Sequence, residues 1–171
     1  MALYGIANGP MQTGTSPLAT VTTGTAVKTL LQVKPGATIL ARIVEWGISF
    51  DGSAAATPIK VELIETDAAA TVTASVANDI VKLDAAALMG GDPTTALIAV
   101  GTTSTGYTAS GEGTITTTRC LHGPHLIAPT QQFSWQFPLG REPIIQVSKF
   151  ARIRVKAGAA VNAYCYMIVE V

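Results

Sequence analysis

Short apolar runs with a two-residue period constrain the fold of this chain more than any other feature. Residues 59–65 read IKVELIE, in which Lys60 and Glu62 alternate with apolar residues. That period places the apolar side chains on one face of a β-strand. Comparable runs rich in Val, Ile, Thr and aromatic residues recur from residue 26 to residue 171, and Gly, Pro or Asp turns separate them. The spacing predicts an all-β domain of about eight strands.

Residues 26–171 are therefore expected to form a single domain, an antiparallel β-sandwich. Its connections are long and uneven, which favours a jelly roll over a simple meander. Residues 74–93 are the exception, because ASVANDIVKLDAAALMGGDP fits helical spacing while its segment DIVKL fits a short strand equally well. The sequence thus predicts at most one short helix, and it lies within this stretch.

The first 25 residues form a distinct segment, because the first charged side chain is that of Lys28. Gly, Pro, Thr and Ser dominate it and no apolar period persists, so residues 1–25 are predicted to form an extended N-terminal arm. Disordered tails have few apolar residues, whereas this arm keeps several that can contact a neighbouring protein. A linker without contacts is the alternative, because Gly-Pro and Ser-Pro pairs also suit linkers. The candidate contact residues are Tyr4, Ile6, Met11, Leu18 and Val21.

Charged side chains are scarce in this sequence and their signs are balanced. They make up 13% of the chain, with 11 basic and 11 acidic residues, against about 25% in a typical soluble domain. A neutral surface suits contact with other proteins and lacks the positive field that nucleic acid requires. The sequence shows neither an apolar run long enough for a membrane helix nor a signal peptide. We therefore expect a chain made in the cytoplasm that binds neither nucleic acid nor membrane.

The segment CLHGPH places three potential metal ligands, Cys120, His122 and His125, within six residues. A structural zinc site needs four ligands, and no fourth one is nearby in the sequence. Catalysis by a serine or cysteine would need a histidine base from this same turn, and the chain has no GxSxG motif. We predict no metal, no cofactor and no catalytic residue.

Aromatic residues could instead form a carbohydrate-binding platform, which is an alternative function. Trp46 and Trp135, however, alternate with apolar neighbours, as core aromatic residues do. Residues 133–143 read FSWQFPLGREP, a strand with its aromatic residues on one face that ends at a proline, which has no N–H to donate. The turn that follows is predicted to place Arg141 and Glu142 at an inter-subunit interface.

A second candidate interface lies in residues 150–156, FARIRVK. The strand period puts Arg152 and Arg154 on the face opposite Ile153 and Val155, which gives a cationic stripe on a neutral protein. We predict that both arginines contact an acidic neighbouring subunit. A solvated sheet face is the alternative.

Several segments together carry a family resemblance that covers most of the chain. They are the uncharged arm, VEWGISFDG, PIKVELIET, GTITTTR, FSWQFPLGREP and ARIRVKAGAAVNAYCYMIVEV. These segments resemble the small structural proteins of tailed-bacteriophage virions, in particular jelly-roll capsid decoration (cement) proteins.

The resemblance implies a non-enzymatic protein on the capsid exterior of a virion, where it binds the outer surface of the phage shell and stabilises it. The implied partners are the major capsid protein of the shell and the chain itself, as a homotrimer, and the arm residues would then contact the shell or a neighbour. A tail or vertex appendage subunit and a carbohydrate-binding β-sandwich module are the alternatives.

Overall fold

The chain folds into two antiparallel β-sheets packed face to face, as a computed structural model shows for residues 2–12, 14–53, 55–83 and 94–171. The prediction of an all-β sandwich is confirmed. The described residues form thirteen strands, more than predicted, because several are too short for their period to be read from the sequence. The strands are β1 (Leu3–Ala7), β2 (Val21–Thr22), β3 (Lys28–Val33), β4 (Ala41–Asp51), β5 (Ile59–Thr66), β6 (Thr71–Ala74), β7 (Ile80–Lys82), β8 (Gly106–Gly111), β9 (Thr118–Ile127), β10 (Gln132–Gln136), β11 (Ile144–Ile145), β12 (Phe150–Lys156) and β13 (Asn162–Glu170).

Helical structure in the described part of the chain is limited to single turns. A 3₁₀ turn covers Ala77–Asp79 and one turn of α-helix, α1, covers Thr94–Leu97. In the stretch where the sequence allowed a helix or a strand, the described residues contain that 3₁₀ turn followed by β7. Residues 84–93 of the same stretch lie outside the described residues.

The order of the strands defines the two layers of the sandwich. The first sheet runs β10-β4-β13-β1-β7, with β11 also paired to β4 and β2 also paired to β13. The second sheet runs β6-β8-β3-β12-β5-β9. Alternate side chains of both sheets meet between the layers, where Ile48 and Met167 of the first sheet and Val61 and Ile153 of the second are buried. Burial of these apolar faces is the main force that holds the layers together.

A β-bulge in β4 changes which residues of this long strand face the core. Ala41 and Ile43, at odd positions, are buried before the bulge, and Trp46 and Ile48, at even positions, are buried after it. The pairing with β13 skips one residue at this point, Val44, which is the signature of a bulge. The bulge explains why both faces of this segment look apolar in the sequence.

The N-terminal segment differs from the predicted arm, because its first residues belong to the sandwich. β1 lies inside the first sheet, between β13 and β7. Tyr4 and Ile6 are only 1% exposed and lie in the hydrophobic core. Their side chains are therefore not available for contact with a shell or a neighbouring subunit. The low charge and the scattered apolar residues of this segment reflect burial in the chain's own sheet.

The rest of the segment also stays attached to its own chain. The buried Asn8 side chain donates to the Ala163 carbonyl oxygen and accepts from the Cys165 backbone N–H. Further along, the Met11 N–H donates to Asp79 at 2.8 Å, and β2 pairs with the start of β13. The described residues between Asn8 and Thr22 thus lie on the outer side of the first sheet, with bonds at both ends.

We predict that Ile6→Ala lowers the free energy of unfolding by about 2–5 kcal/mol, because it removes buried methyl groups and leaves a cavity. The matched control is Val76→Ala at an exposed apolar position, where a change within about 0.5 kcal/mol is expected. Urea unfolding followed by circular dichroism measures both. Equal, small effects would mean that β1 is not part of the core in solution, and would support the extended arm predicted from the sequence.

Candidate functional site

One open side of the sandwich holds both histidines and the aromatic residues of the segment FSWQFPLGREP. β9 is the last strand of the second sheet and β10 is the last strand of the first, so the two strands form adjacent edges of the two layers. The connection between them is a short turn in which the Gln131 N–H donates to the Ala128 carbonyl oxygen. We call the segment from β9 through β11 to Val147 the contact edge.

A cluster of aromatic rings fills the gap between these two strands. His122 and His125 of β9 have ring centroids 4.5 Å apart. His122 also lies 4.8 Å from Trp135 of β10, and His125 lies 4.5 Å from Phe133. The buried Trp46 of β4 packs against the cluster, and its ring centroid lies 5.2 Å from that of Phe133. The rings join the two sheets at an edge that no further strand of the described residues covers.

The surroundings of His122 favour its neutral form. Its Nδ1 accepts a hydrogen bond from the indole N–H of Trp46 at 3.3 Å and lies 3.3 Å from Nε2 of His125. Nδ1 must be unprotonated to accept the bond from Trp46. Burial lowers the pKa of His122, and the neighbouring His125 lowers it further. The pair therefore acts as packed, hydrogen-bonded rings that stabilise the edge.

The metal ligands considered from the sequence come together only in part. His122 and His125 are in contact, whereas the Cys120 thiol lies 3.2 Å from the Gly123 carbonyl oxygen. Among the residues that the structure describes, no group of three His, Cys, Asp or Glu side chains could hold a metal ion.

A loop projects from the contact edge at the β4 bulge. The Val44 carbonyl oxygen accepts a hydrogen bond from the Phe137 N–H, and the N–H of the preceding residue, Ile43, donates to the Pro143 carbonyl oxygen. Because adjacent residues of β4 bind both ends, residues 138–142 have no place in the ladder and loop outward. Leu139 lies in this loop and is 97% exposed.

Large exposed apolar side chains are concentrated in the contact edge. Among the described residues nine such side chains are exposed, and five of them fall between residues 126 and 147. Leu126 is 76% exposed and Trp135 is 43% exposed, so Trp135 does not occupy the core position predicted from its alternation. Because exposed apolar patches mark interaction sites, this edge is the candidate contact surface. The five side chains are Leu126, Trp135, Leu139, Ile144 and Val147.

The predicted interface residues Arg141 and Glu142 lie in the projecting loop next to Leu139. Arg141 is exposed and Glu142 is half-buried. Their backbone is fixed in part by the Arg141 N–H, which donates to the Pro138 carbonyl oxygen. Their role in an inter-subunit interface stays a prediction, and their location on the contact edge is compatible with it.

The predicted contact residue Arg152 is not on the surface, because the chain buries it completely. Its guanidinium forms an ion pair with Glu112 at 3.3 Å and also donates to the carbonyl oxygens of Glu112 and Ala68. Glu112 in turn accepts bonds from the N–H and hydroxyl of Thr29. A buried charge needs such partners. Arg152 therefore organises the outer side of the second sheet and cannot contact a neighbouring subunit.

Arg154 is also paired within the chain. It stands opposite Glu62 in the β12–β5 ladder, and its Nε donates to the Glu62 carboxylate at 2.6 Å. The cationic stripe predicted for this strand thus contains one internal and one neutralised arginine. A solvated sheet face, the alternative, describes Arg154 better than a dock for an acidic subunit.

The remaining arm residues are partly exposed on the first sheet. Met11 and Leu18 line a shallow apolar groove with Tyr164 and Tyr166 of β13. Val21 is half-buried in β2, where it pairs with Ala163. These three side chains contact their own sheet, and their contact with a shell or a neighbour stays a prediction.

Sequence reasoning missed the exposed edge and the carboxylate partner of Arg152. A strand period identifies an apolar face but not whether another strand lies beside it, so Trp135 looked like a core residue. Glu112 lies 40 residues from Arg152, and no local pattern links them. A short strand bounded by Pro129 and Pro138 is the one signal that could have indicated an edge.

Comparison of the chain with protein-family models, curated proteins and solved structures gives no match. None of the helical segments in the described residues has the length and apolar character needed to cross a membrane.

We predict that acidification through pH 6.5, the ordinary pKa of histidine, destabilises the protein. The unfolded chain binds a proton at His122 in this range, whereas the folded chain resists it until the pH falls below the lowered pKa. Stability is therefore full above that range, falls as the pH drops through it, and levels off below. Urea unfolding at about pH 7.5 and about pH 5 measures the loss.

The matched variant is His122→Gln, whose side-chain oxygen can still accept from Trp46 but does not titrate. It should lose less stability than the wild type between the two pH values. An identical loss in both proteins would show that other groups cause the pH dependence.

Proposed function

We propose that this chain is a non-enzymatic virion structural protein, a jelly-roll capsid decoration protein that binds the outer surface of a phage shell and stabilises it. The observation that carries the proposal is the contact edge, where a projecting loop and an edge strand present exposed apolar side chains. Both histidines, the bases that serine or cysteine catalysis would need, are engaged in the ring cluster.

The apolar side chains supply the attachment energy in this proposal. Complete burial of one leucine side chain contributes about 1.5–3 kcal/mol. Leu139 is 97% exposed at the end of a loop, so it can enter a pocket of a shell subunit without a change in its own fold. Trp135 of β10, also exposed at this edge, is of a residue type that is enriched among the side chains that dominate binding energy in protein interfaces.

Electrostatic neutrality suits this role. Arg119, Arg152 and Arg154 are each paired with a glutamate of the same chain, which reduces the charge offered to a partner. Contact through apolar side chains is less sensitive to salt than contact through ion pairs. The attachment would therefore persist at the ionic strengths a virion meets.

Several copies acting together would make the attachment durable. The major capsid protein and the chain itself are the proposed partners, with a homotrimer as the form implied by the family resemblance. Linked copies raise the effective concentration of each further contact, so modest single contacts give tight binding. A tail or vertex appendage subunit would use the same edge in the same way.

A carbohydrate-binding module is the second candidate, and the exposure of Trp135 is the observation that favours it. Sugar rings stack on accessible aromatic rings, and this indole is 43% exposed beside His122. Retention on a polysaccharide column that is lost in Trp135→Ala, with no binding to shells, would select this function.

We predict that Leu139→Ser weakens attachment to assembled shells about tenfold or more, because burial of its side chain contributes about 1.5–3 kcal/mol. The measurement is saturable co-sedimentation with emptied shells of the phage that encodes the chain. The exposed loop position should leave the thermal unfolding temperature unchanged.

The control is Val76→Ser, which removes a 58% exposed valine before β7, at the opposite open side of the sandwich. It should bind shells like the wild type. Equal binding by Leu139→Ser and the control would contradict the proposed contact edge, and no saturable binding by the wild type would contradict the decoration role.

A further inference from the structure

β10 is an edge strand with a free row of backbone hydrogen-bonding groups. Among the described residues, β4 is the strand that pairs with it. The Gln131 carbonyl oxygen accepts a bond from the Phe50 N–H, and the Phe137 N–H donates to the Val44 carbonyl oxygen. Backbone groups alternate in direction along an antiparallel strand, so the N–H and C=O groups of Phe133 and Trp135 also point toward β4. The N–H and C=O groups of the residues between them therefore point away from the sheet. These residues are Gln132, Ser134 and Gln136.

The sequence of β10 is nearly symmetric about its central residue. It reads Gln-Phe-Ser-Trp-Gln over residues 132–136. If two copies align antiparallel about Ser134, each Gln132 faces a Gln136, each Phe133 faces a Trp135, and the two Ser134 residues face each other. Glutamine then faces glutamine, an aromatic ring faces an aromatic ring and serine faces serine, so the strand is complementary to its own copy across a two-fold axis.

The hydrogen-bonding register agrees with the side-chain symmetry. The outward-pointing residues 132, 134 and 136 of one copy would lie opposite residues 136, 134 and 132 of the other. These are the positions where antiparallel partners exchange both backbone bonds. A shift by one residue would place inward-pointing backbone groups opposite outward-pointing ones, so the ladder permits the register centred on Ser134. Among the registers that the ladder permits, this one also pairs the similar side chains.

The strand also lacks the features that usually prevent edge-to-edge pairing. Monomeric proteins protect sheet edges with charged side chains, prolines or bulges. Residues 128–140 contain no charged residue, and their two prolines, Pro129 and Pro138, lie outside the strand. Phe133 and Trp135 would add two aromatic cross-strand pairs, which stabilise such ladders.

We infer that β10 pairs with β10 of a second copy of this chain, antiparallel about Ser134, and thereby joins two first sheets into one continuous sheet across a two-fold axis. The inference does not depend on the virion role, because the pairing forms in solution without a shell. The pairing gives a dimer, whereas the family resemblance implies a trimer, so the mass in solution distinguishes the inferred pairing from the implied assembly.

Light scattering after size exclusion tests the pairing. The wild type should have twice the mass of the 17.6 kDa chain. Ser134→Lys and Ser134→Glu each place like charges face to face at the two-fold axis, and like-charge juxtaposition in an interface costs several kcal/mol. Each variant alone should raise the dimer dissociation constant about tenfold or more, whereas an equimolar mixture should recover the dimer, because lysine then faces glutamate.

Two controls separate the pairing from effects on folding or net charge. Ser134 is exposed, so each variant should still fold and should unfold in one cooperative thermal transition, as the wild type does when diluted to the monomer. Ser16→Lys adds the same charge at an exposed position outside the contact edge and should remain dimeric. A wild-type mass of one or three chains, a Ser134→Lys variant with the wild-type dissociation constant, or a mixture that dimerises no better than either variant alone would each overturn the inference.

Discussion

The pairing of β13 with both β1 and β4 is the interaction on which the rest of the structure depends. It joins the two ends of the chain in the middle of the first sheet and buries the alternate residues Ala163, Cys165, Met167 and Val169. Pairs so distant in sequence form at a high entropic cost, which the buried apolar surface must offset. Once β4 is fixed by β13, its other edge accepts β10 and β11. The bulge opposite β13 then directs the loop that carries Leu139 out of the sheet.

Electrostatics are mainly internal in this protein. The described residues use three arginines in ion pairs with Glu65, Glu112 and Glu62, and the Arg152 pair is the one with a fully buried cation. A buried guanidinium is tolerated only when carbonyl and carboxylate oxygens replace its lost water. Two of these ion pairs therefore link neighbouring strands of the second sheet, and the Arg152 pair holds Glu112 beside β12.

The two interactions proposed for the contact edge overlap at Trp135 but depend on different parts of the edge. Shell attachment rests mainly on Leu139 in the projecting loop, whereas self-pairing rests on the backbone of β10 around Ser134. A two-fold pair through β10 would place two projecting loops on one particle, so dimerisation would strengthen attachment through effective concentration. Because one substitution addresses a side chain in a loop and the other a strand position, each interaction can be removed without the other.

The sequence by itself determined the all-β sandwich, because a two-residue apolar period is compatible only with strands that have a buried face. It also determined that Trp46 lies in the core and that the chain is neutral. Only the tertiary structure decided that Tyr4 and Ile6 are core residues, that Arg152 is buried against Glu112, and that Trp135 is exposed. The two-residue period of a strand tells on which face of the sheet a side chain lies. Its burial depends, in addition, on which strand lies beside it. That neighbour is set by pairings between segments far apart in the chain.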